Sequence, residues 1–208
     1  MRIFSGANAH MTFAISTRSA IEELARDPLR HVVLLKQLLA YPGHVKAYRA
    51  SDDGKSAILL VLEASASAYD RQAYPEAAIV AFVSSEHPEL TAALLPCLPR
   101  DVGIVLKLSA EVDLIPIESK FSVERRTAFV SFTSAGVVAP DAEVRVTTTP
   151  RNGAFRMFER QDHERAWVRS MLGSGRAFAC VLEEGGDVAS VCLVYEKWGP
   201  VWEVGGVV

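Results

Sequence analysis

Three groups of polar residues have the composition of a chemical site, and their spacing decides which chemistry is open to them. Asp52-Asp53-Gly54 has the composition of a hairpin turn rather than of a paired-carboxylate acid/base site. Asp162-His163-Glu164 lies between Arg160 and Arg165, a pattern more typical of a solvated helix face than of a catalytic triplet. Gly173-Ser174-Gly175 follows a helical pattern and precedes a strand, which favours a glycine helix C-cap over a phosphate-binding loop.

The histidines and cysteines do not form a recognisable metal site. The five histidines, at positions 10, 31, 44, 87 and 163, have no ligand spacing, whereas a structural zinc site needs about four converging ligands. Cys97, Cys180 and Cys192 form no CxxC pair, so free thiols in a reducing compartment are the simplest interpretation. The sequence therefore predicts no metal centre.

Composition narrows the class of protein. A net charge of -3 and a pI near 6.0 disfavour binding to nucleic acid or to anionic lipid, which both need clustered Lys and Arg. The longest aliphatic run, residues 57–62, is far shorter than the roughly 20 residues that cross a bilayer. We expect a cytoplasmic protein without membrane contact. A weaker alternative is a mitochondrial one, because residues 1–21 contain no Asp or Glu.

The elements that must position any site divide into two regions. Residues 1–135 predict an N-terminal α/β domain with two helices, a hairpin, and one strand, helix, strand crossover. Residues 133–143 are small and turn-rich and mark the boundary. The elements expected before the boundary are a helix that begins at Ser16 or Thr17, a helix over 29–40, strands over 45–50, 57–62, 79–83, 102–108 and 127–132, and a helix over 88–95.

Beyond the boundary, residues 144–208 predict a second, largely antiparallel region. A strand over 144–149 and a turn over 150–153 precede one helix over 160–172. Three strands follow, over 177–183, 190–195 and 201–208, joined by a Glu-Gly-Gly-Asp turn and a Gly-Pro turn. The fold class expected for the whole chain is α/β (α+β), with a mixed, mostly antiparallel sheet flanked by helices.

The three-strand segment resembles the middle strands of the GNAT superfamily of acyl-CoA-dependent N-acetyltransferases, of the two-domain type. The resemblance rests on Arg-Ala-Phe-Ala-Cys-Val-Leu-Glu (176–183), on the acidic turn with its return strand, and on Val-Trp-Glu-Val-Gly-Gly-Val-Val (201–208). It extends over residues 144–208, with the preceding helix similar to the family's substrate-side helix. The N-terminal region then resembles a degenerate copy of the same fold, and an unrelated α/β layer is the alternative.

The resemblance implies a transferase that moves the acetyl group of acetyl-CoA to the amine of a small molecule or peptide. By the same resemblance, backbone groups of Gly206, Val207 and Val208 begin the contact with the pantetheine arm of the cofactor. Glu203 is the implied catalytic base, expected between the apolar side chains of Trp202 and Val204. The alternative for Glu203 is an outward-facing strand glutamate.

The family continues this strand with a threonine, a proline and then R/Q-x-x-G-x-G/A, which binds the cofactor's pyrophosphate. Residues 1–208 do not contain that motif. We therefore expect a GNAT-like chain that is incomplete or naturally shortened and inactive as it stands. The alternative is a non-catalytic interaction protein that uses an exposed C-terminal edge strand, for example to form a homodimer.

Overall fold

The chain divides into two compact units, Met1–Thr127 and Ala128–Val208. The structure is a computed structural model, and it describes residues 11–128, 143–161, 163–205 and 207. One sheet has five strands in the order β1-β2-β3-β4-β5, and the other has four in the order β6-β7-β8-β9. The expected α/β class, with a mixed and mostly antiparallel sheet accompanied by helices, is confirmed.

The first unit is built on the five-stranded sheet, in which only the β4–β5 pair is parallel. Its elements are β1 (Met11–Ile15), α1 (Thr17–Leu24), α2 (Pro28–Ala40), β2 (Val45–Asp52), β3 (Lys55–Glu63), α3 (Ala68–Ala73), β4 (Ile79–Ser84), α4 (Pro88–Leu94), β5 (Ile104–Leu108) and α5 (Leu114–Glu118).

Local sequence signals explain the central elements of this unit. Asp53 and Gly54, with φ of 43° and 79°, form the turn of the β2–β3 hairpin, as the sequence predicts. Every residue of β3 from 57 to 62 is buried, so a continuous apolar run makes a strand covered on both faces. Pro88 occupies the first turn of α4, where its missing N–H leaves no bond unmade. The helix connects the parallel strands β4 and β5.

The first strand, β1, was not predicted from the sequence. β1 pairs antiparallel with β2, with Met11 opposite Ser51. Most of its side chains are exposed, so it lacks the alternation by which a half-buried strand is recognised. Thr127 and Ala128 have no strand conformation, and the rest of the strand expected over 127–132 lies outside the described residues.

Two polar pairs lie inside the first unit. Thr91 Oγ1 donates a hydrogen bond of 2.5 Å to Asp113 Oδ1, and both residues are fully buried. Asp113 Oδ2 has no hydrogen-bond partner among the described residues. Lys107 Nζ donates to Asp70 Oδ1 at 3.0 Å. Asp113 thus combines a buried carboxyl group with incomplete hydrogen bonding, an arrangement that opposes ionisation.

The second unit is built on an antiparallel sheet with two helices. Its elements are β6 (Val144–Thr147), α6 (Asn152–Glu159), α7 (Arg165–Gly173), β7 (Ala177–Glu184), β8 (Asp187–Trp198) and β9 (Val201–Gly205). Gly185 and Gly186 have φ of 59° and 91°. The two positive values suit the two-residue loop that joins β7 to β8.

The single helix expected over 160–172 is wrong, as is the turn over 150–153. The structure has α6 before Arg160, and α7 begins only at Arg165. Phe155 and Phe158 bury one face of α6, and this apolar stripe in a short segment was not recognised. The predicted glycine C-cap is confirmed, because α7 ends at Gly173 and Gly175 has φ of 72°.

The four-stranded sheet has two unlike faces. One face packs on α6 and α7 through a buried cluster. Its residues come from these two helices and from the central strands β7 and β8: Ala154, Phe155, Phe158, Val168, Leu172, Ala177, Ala179, Val181, Val191 and Leu193. The residues between them along the strands point to the other face. There Val146, Trp202 and Val204 are exposed.

Within the described residues, no helix is both long and apolar enough to pass through a membrane. The longest, α2, has 13 residues.

Candidate functional site

Glu203 lies on β9, directly opposite Tyr195 of β8. Opposed residues of an antiparallel pair project to the same face of the sheet. Tyr195 packs against the buried cluster under α6 and α7. Glu203 therefore projects to the helix-covered face, at the edge of the sheet.

Both carboxylate oxygens of Glu203 have a donor. The Tyr195 hydroxyl donates a hydrogen bond of 2.7 Å to Oε1. Lys197 Nζ lies 2.6 Å from Oε2 and 4.7 Å from the centre of the Tyr195 ring. The carboxylate is 44% exposed while the lysine is 13% exposed. A carboxylate open to solvent is thus held between a phenol and an ammonium group.

A β-bulge brings Lys197 to this site. The register of β8 against β9 shifts between Glu196 and Trp198, so that Lys197 is the extra residue. Bulges of this kind re-aim a side chain and are common next to active sites. We call Tyr195, Lys197 and Glu203 the carboxylate cluster.

Aromatic side chains extend the carboxylate cluster towards α7. Trp167 meets the Tyr195 ring edge-on, with the ring centres 6.4 Å apart and an angle of 83° between the planes. His163 stacks on Trp167 at 5.4 Å. Trp167 is 40% exposed. These rings make one wall beside the cluster.

Gly205 allows the Tyr195 ring to lie close to the backbone of β9. A Cβ atom on Gly205 would lie 3.2 Å from Tyr195 Cε1 and 3.4 Å from the hydroxyl oxygen. The group that approaches Gly205 in the structure is the Tyr195 ring.

The phenol of Tyr195 is a weak acid. Burial raises the pKa of Tyr195 well above its usual value, and the hydrogen bond to Glu203 and its negative charge raise it further. The site therefore presents a hydroxyl group that keeps its proton, beside the carboxylate of Glu203 and the amino group of Lys197. Such a set can accept a proton at Glu203 and donate a hydrogen bond from Tyr195.

The apolar neighbours expected for Glu203, Trp202 and Val204, do not lie on its face of the sheet. Trp202 and Val204 project to the opposite face and are 44% and 60% exposed. Trp202 contacts Phe178 there, with the ring centres 5.6 Å apart. Because successive side chains of a strand alternate, the neighbours of Glu203 in sequence are not its neighbours in space. Its neighbours come from β8.

The expected cofactor contacts are only partly described. Gly206 and Val208 lie outside the described residues. Val207 is 62% exposed, and it is not in a strand, since β9 ends at Gly205. Its carbonyl oxygen accepts a hydrogen bond from the side-chain amide of Gln161. A backbone contact from Val207 to a cofactor would share this acceptor with Gln161.

The polar groups for which the sequence favoured a structural role over a chemical one have the following positions where they are described. Asp53 belongs to the β2–β3 turn, and His163 stacks on Trp167 as described above, while Asp162 lies outside the described residues. In the part of the chain that the structure describes, no three His, Cys, Asp or Glu residues are grouped so that they could hold a metal ion.

No protein-family model matches this chain, and no curated protein is significantly similar to it. The resemblance to the GNAT superfamily therefore rests on the strand pattern of the sequence itself. The sequence predicted Glu203 as a site residue but not Tyr195 or Lys197. Their place in the carboxylate cluster depends on the bulge in β8.

Proposed function

We propose that residues 144–208 are the first part of a GNAT-like N-acyltransferase domain. In this proposal acetyl-CoA is the donor, the amine of a small molecule or peptide is the acceptor, and Glu203 is the base. The observation that carries the proposal is the 2.7 Å hydrogen bond between the Tyr195 hydroxyl and the Glu203 carboxylate. The order α7, β7, β8, β9, with antiparallel neighbours, also supports it.

The chemistry of acyl transfer needs these groups. An aliphatic amine is protonated near neutral pH and cannot attack a thioester until a base removes the proton. Glu203 is exposed enough for an acceptor amine to reach its carboxylate. Tyr195 keeps its proton and can donate a hydrogen bond to the oxyanion that forms first. Lys197 then balances the charge of Glu203 while the carboxylate is ionised.

Cofactor binding can be tested on the 208-residue chain by NMR. In the family, the pantetheine arm lies against this strand as a further strand would, so acetyl-CoA should perturb the backbone amides of β9. We expect saturable shifts with a Kd of roughly 1 mM, about −4 kcal/mol, because the pyrophosphate motif is not among residues 1–208. CoA without the acetyl group should perturb the same amides. Shifts confined to the first unit, or no saturable shift, would overturn the proposal.

The role of Glu203 has a separate test with a matched control. Glu203→Gln keeps the size of the side chain but cannot accept the proton, whereas Glu196→Gln alters a glutamate one strand away whose partner is Arg176. Acetylation of a panel of primary amines is measured by chromatography of the acetylated product. The pyrophosphate motif is not among residues 1–208, so we expect only a residual rate, measured at acetyl-CoA concentrations above its Kd. That rate should fall by about 10²–10⁴-fold in Glu203→Gln and stay unchanged in Glu196→Gln. Equal and measurable rates in both variants would refute the assignment of Glu203.

A second candidate function is a non-catalytic interaction through β9. The supporting observation is that β9 pairs with β8 alone among the described strands and is an edge of its sheet. Edge strands offer unpaired N–H and C=O groups to a further strand, and a second copy of this chain is the simplest partner. Light scattering over a range of protein concentrations tests this, and a monomer at all of them would contradict self-association.

A further inference from the structure

Two of the three cysteines face each other on neighbouring strands. Cys180 of β7 lies directly opposite Cys192 of β8. Both are free thiols, and both are half-buried. They alternate with Ala179 and Val191, which point to the helices, so the thiols lie on the other face of the sheet. Cys97 belongs to the first unit and has no such neighbour on these strands.

The spacing of the two strands allows a bond between the thiols. The amide of Glu196 donates to the carbonyl of Arg176 at 2.9 Å, which makes that pair a hydrogen-bonded one. Because such pairs recur every second residue, Cys180 and Cys192 also form a hydrogen-bonded pair, with Cα atoms about 5.5 Å apart. Disulfides join Cα atoms about 4.4–6.8 Å apart, so the backbone need not move far.

The same spacing indicates a bond that is reversible. Cβ atoms of opposed residues lie about 4.5–5.5 Å apart, and a relaxed disulfide has them about 3.5–4.5 Å apart. Closing the bond must therefore draw the strands slightly together. Disulfides formed under such tension are the ones that are readily reduced and act in regulation rather than as permanent cross-links.

We propose that Cys180 and Cys192 form a reversible dithiol–disulfide site, oxidised by exchange with a low-molecular-weight disulfide such as oxidised glutathione. The thiolate of one cysteine attacks the small disulfide, forms a mixed disulfide and releases one small thiolate. The second cysteine loses its proton to solvent and attacks the protein sulfur of the mixed disulfide, which releases the other small thiolate. Two protein thiols are oxidised, and one small disulfide is reduced to two thiols.

The surroundings of the thiols oppose ionisation of Cys180. Burial, together with the charge of the adjacent Cys192 and its hydrogen bond, raises the pKa of Cys180 to about 11. Both thiols are half-buried and lie directly opposite each other, so either can make the first attack. Whichever cysteine carries the mixed disulfide, the other lies directly across the strand pair and closes the bond.

This inference does not rest on the proposed function. Glu203 and Tyr195 project to the helix-covered face of the sheet, whereas Cys180 and Cys192 lie on the opposite face. An oxidised pair would leave the carboxylate cluster in place. Failure of one proposal therefore leaves the other untouched.

The test is equilibration of the reduced 208-residue chain with glutathione buffers of increasing oxidised fraction. Acid quenching, alkylation of the remaining thiols and peptide mass spectrometry then identify each cysteine. We expect loss of two of the three alkylatable thiols in one step, with a peptide pair linked through Cys180 and Cys192. Cys97 should remain alkylatable, and dithiothreitol should restore the other two thiols. In strong denaturant, where the register is lost, all three pairings should appear.

Single variants separate the two chemical steps. Cys192→Ser and Cys180→Ser should each accumulate one glutathione on the remaining cysteine of the pair, because the closing thiol is missing. Cys97→Ser is the matched control and should behave as the unaltered chain does. The proposal is overturned if the folded, unaltered chain keeps all three thiols alkylatable, or if it collects glutathione on Cys180 and Cys192 without linking them. That result needs no variant and so does not depend on whether the variants fold.

Discussion

The hydrogen bond between Tyr195 and Glu203 should be measurable as a coupling energy. In a double-mutant cycle, Tyr195→Phe removes the hydroxyl group, Glu203→Ala removes the carboxylate, and the double variant removes both. A hydrogen bond to a charged group contributes about 1.5–3 kcal/mol to stability. Because the carboxylate is 44% exposed, water replaces part of the lost interaction, and we expect a coupling energy of about 1 kcal/mol.

The assay is urea unfolding at neutral pH, followed by tryptophan fluorescence. The three tryptophans, Trp167, Trp198 and Trp202, all lie in the second unit, so the signal reports the unfolding of that unit without a contribution from the first. The slope of the free energy of unfolding against urea should be the same in all four proteins, as two-state analysis requires.

The control for this cycle is the pair Tyr195→Phe and Glu196→Ala. Glu196 is opposite Trp202 and forms its ion pair with Arg176 at 3.1 Å, so its carboxylate lies on the other face of the sheet. We expect its effect to add to that of Tyr195→Phe within about 0.5 kcal/mol. If the Glu203 cycle is equally additive, the Tyr195 hydroxyl and the Glu203 carboxylate do not interact, and the acid/base argument for the cluster fails.

Three further predictions follow from titration and from packing. Tyr195 should be the last of the five tyrosines to ionise when absorbance at alkaline pH is recorded, because burial and Glu203 raise its pKa; Glu203→Gln should bring its ionisation closer to that of the others, and no change would contradict the contact. Burial raises the pKa of Asp113, so the folded chain keeps this proton to higher pH than the unfolded one. The contribution of this group to the free energy of unfolding is therefore complete below a pH of about 3.9 and decreases as the pH rises. Asp113→Asn should remove that loss and raise the free energy of unfolding by about 1–3 kcal/mol at neutral pH. The measurement is urea unfolding followed by circular dichroism at neutral pH and at a pH below about 3.9. An equal effect of the substitution at the two pH values would refute this prediction. Gly103→Ala should destabilise the first unit by about 1–3 kcal/mol or more, because its Cβ would lie 2.3 Å from the Glu76 carbonyl oxygen, whereas Gly173→Ala, with no atom within 4 Å of the added carbon, should leave thermal unfolding nearly unchanged.

Elements with a local cause could be predicted from the sequence. The β2–β3 hairpin has Asp53-Gly54 at its turn, and the β7–β8 hairpin has Gly185-Gly186. In each case the turn residues determine which strand residues face each other. The pairing of Cys180 with Cys192 follows from the second turn only after allowance for the irregularity at Leu182/Glu183. The turns could therefore be predicted from their residues, whereas the exact register of the strands could be predicted only in part.

Elements with a distant cause were missed. β1 is a strand because it pairs with residues 47–51, far along the chain, and its own exposed side chains contain no strand pattern. The break between α6 and α7 occurs in a polar stretch, residues 160–164, that a single helix could also contain. It is decided by Phe158 and Val168, which are both fully buried under the same sheet. Packing of that kind cannot be inferred from helical periodicity.

The carboxylate cluster depends on one extra residue in β8, Lys197, which has no partner residue opposite it in β9. From the Gly199-Pro200 turn, a regular ladder would place Glu203 opposite Glu196 and Tyr195 opposite Val204. Two like charges directly opposite each other on adjacent strands are destabilising.

The bulge at Lys197 removes this conflict. It shifts the register so that Glu203 is opposite Tyr195, while Glu196 is opposite Trp202 and bonds to Arg176. The extra residue also supplies the ammonium group at Glu203 Oε2. The sequence alone shows that a regular hairpin would place Glu196 opposite Glu203. This repulsion between two glutamates could have predicted that the hairpin is irregular. A bulge that relieves repulsion and completes a proton-transfer set in one step is best understood as part of the site.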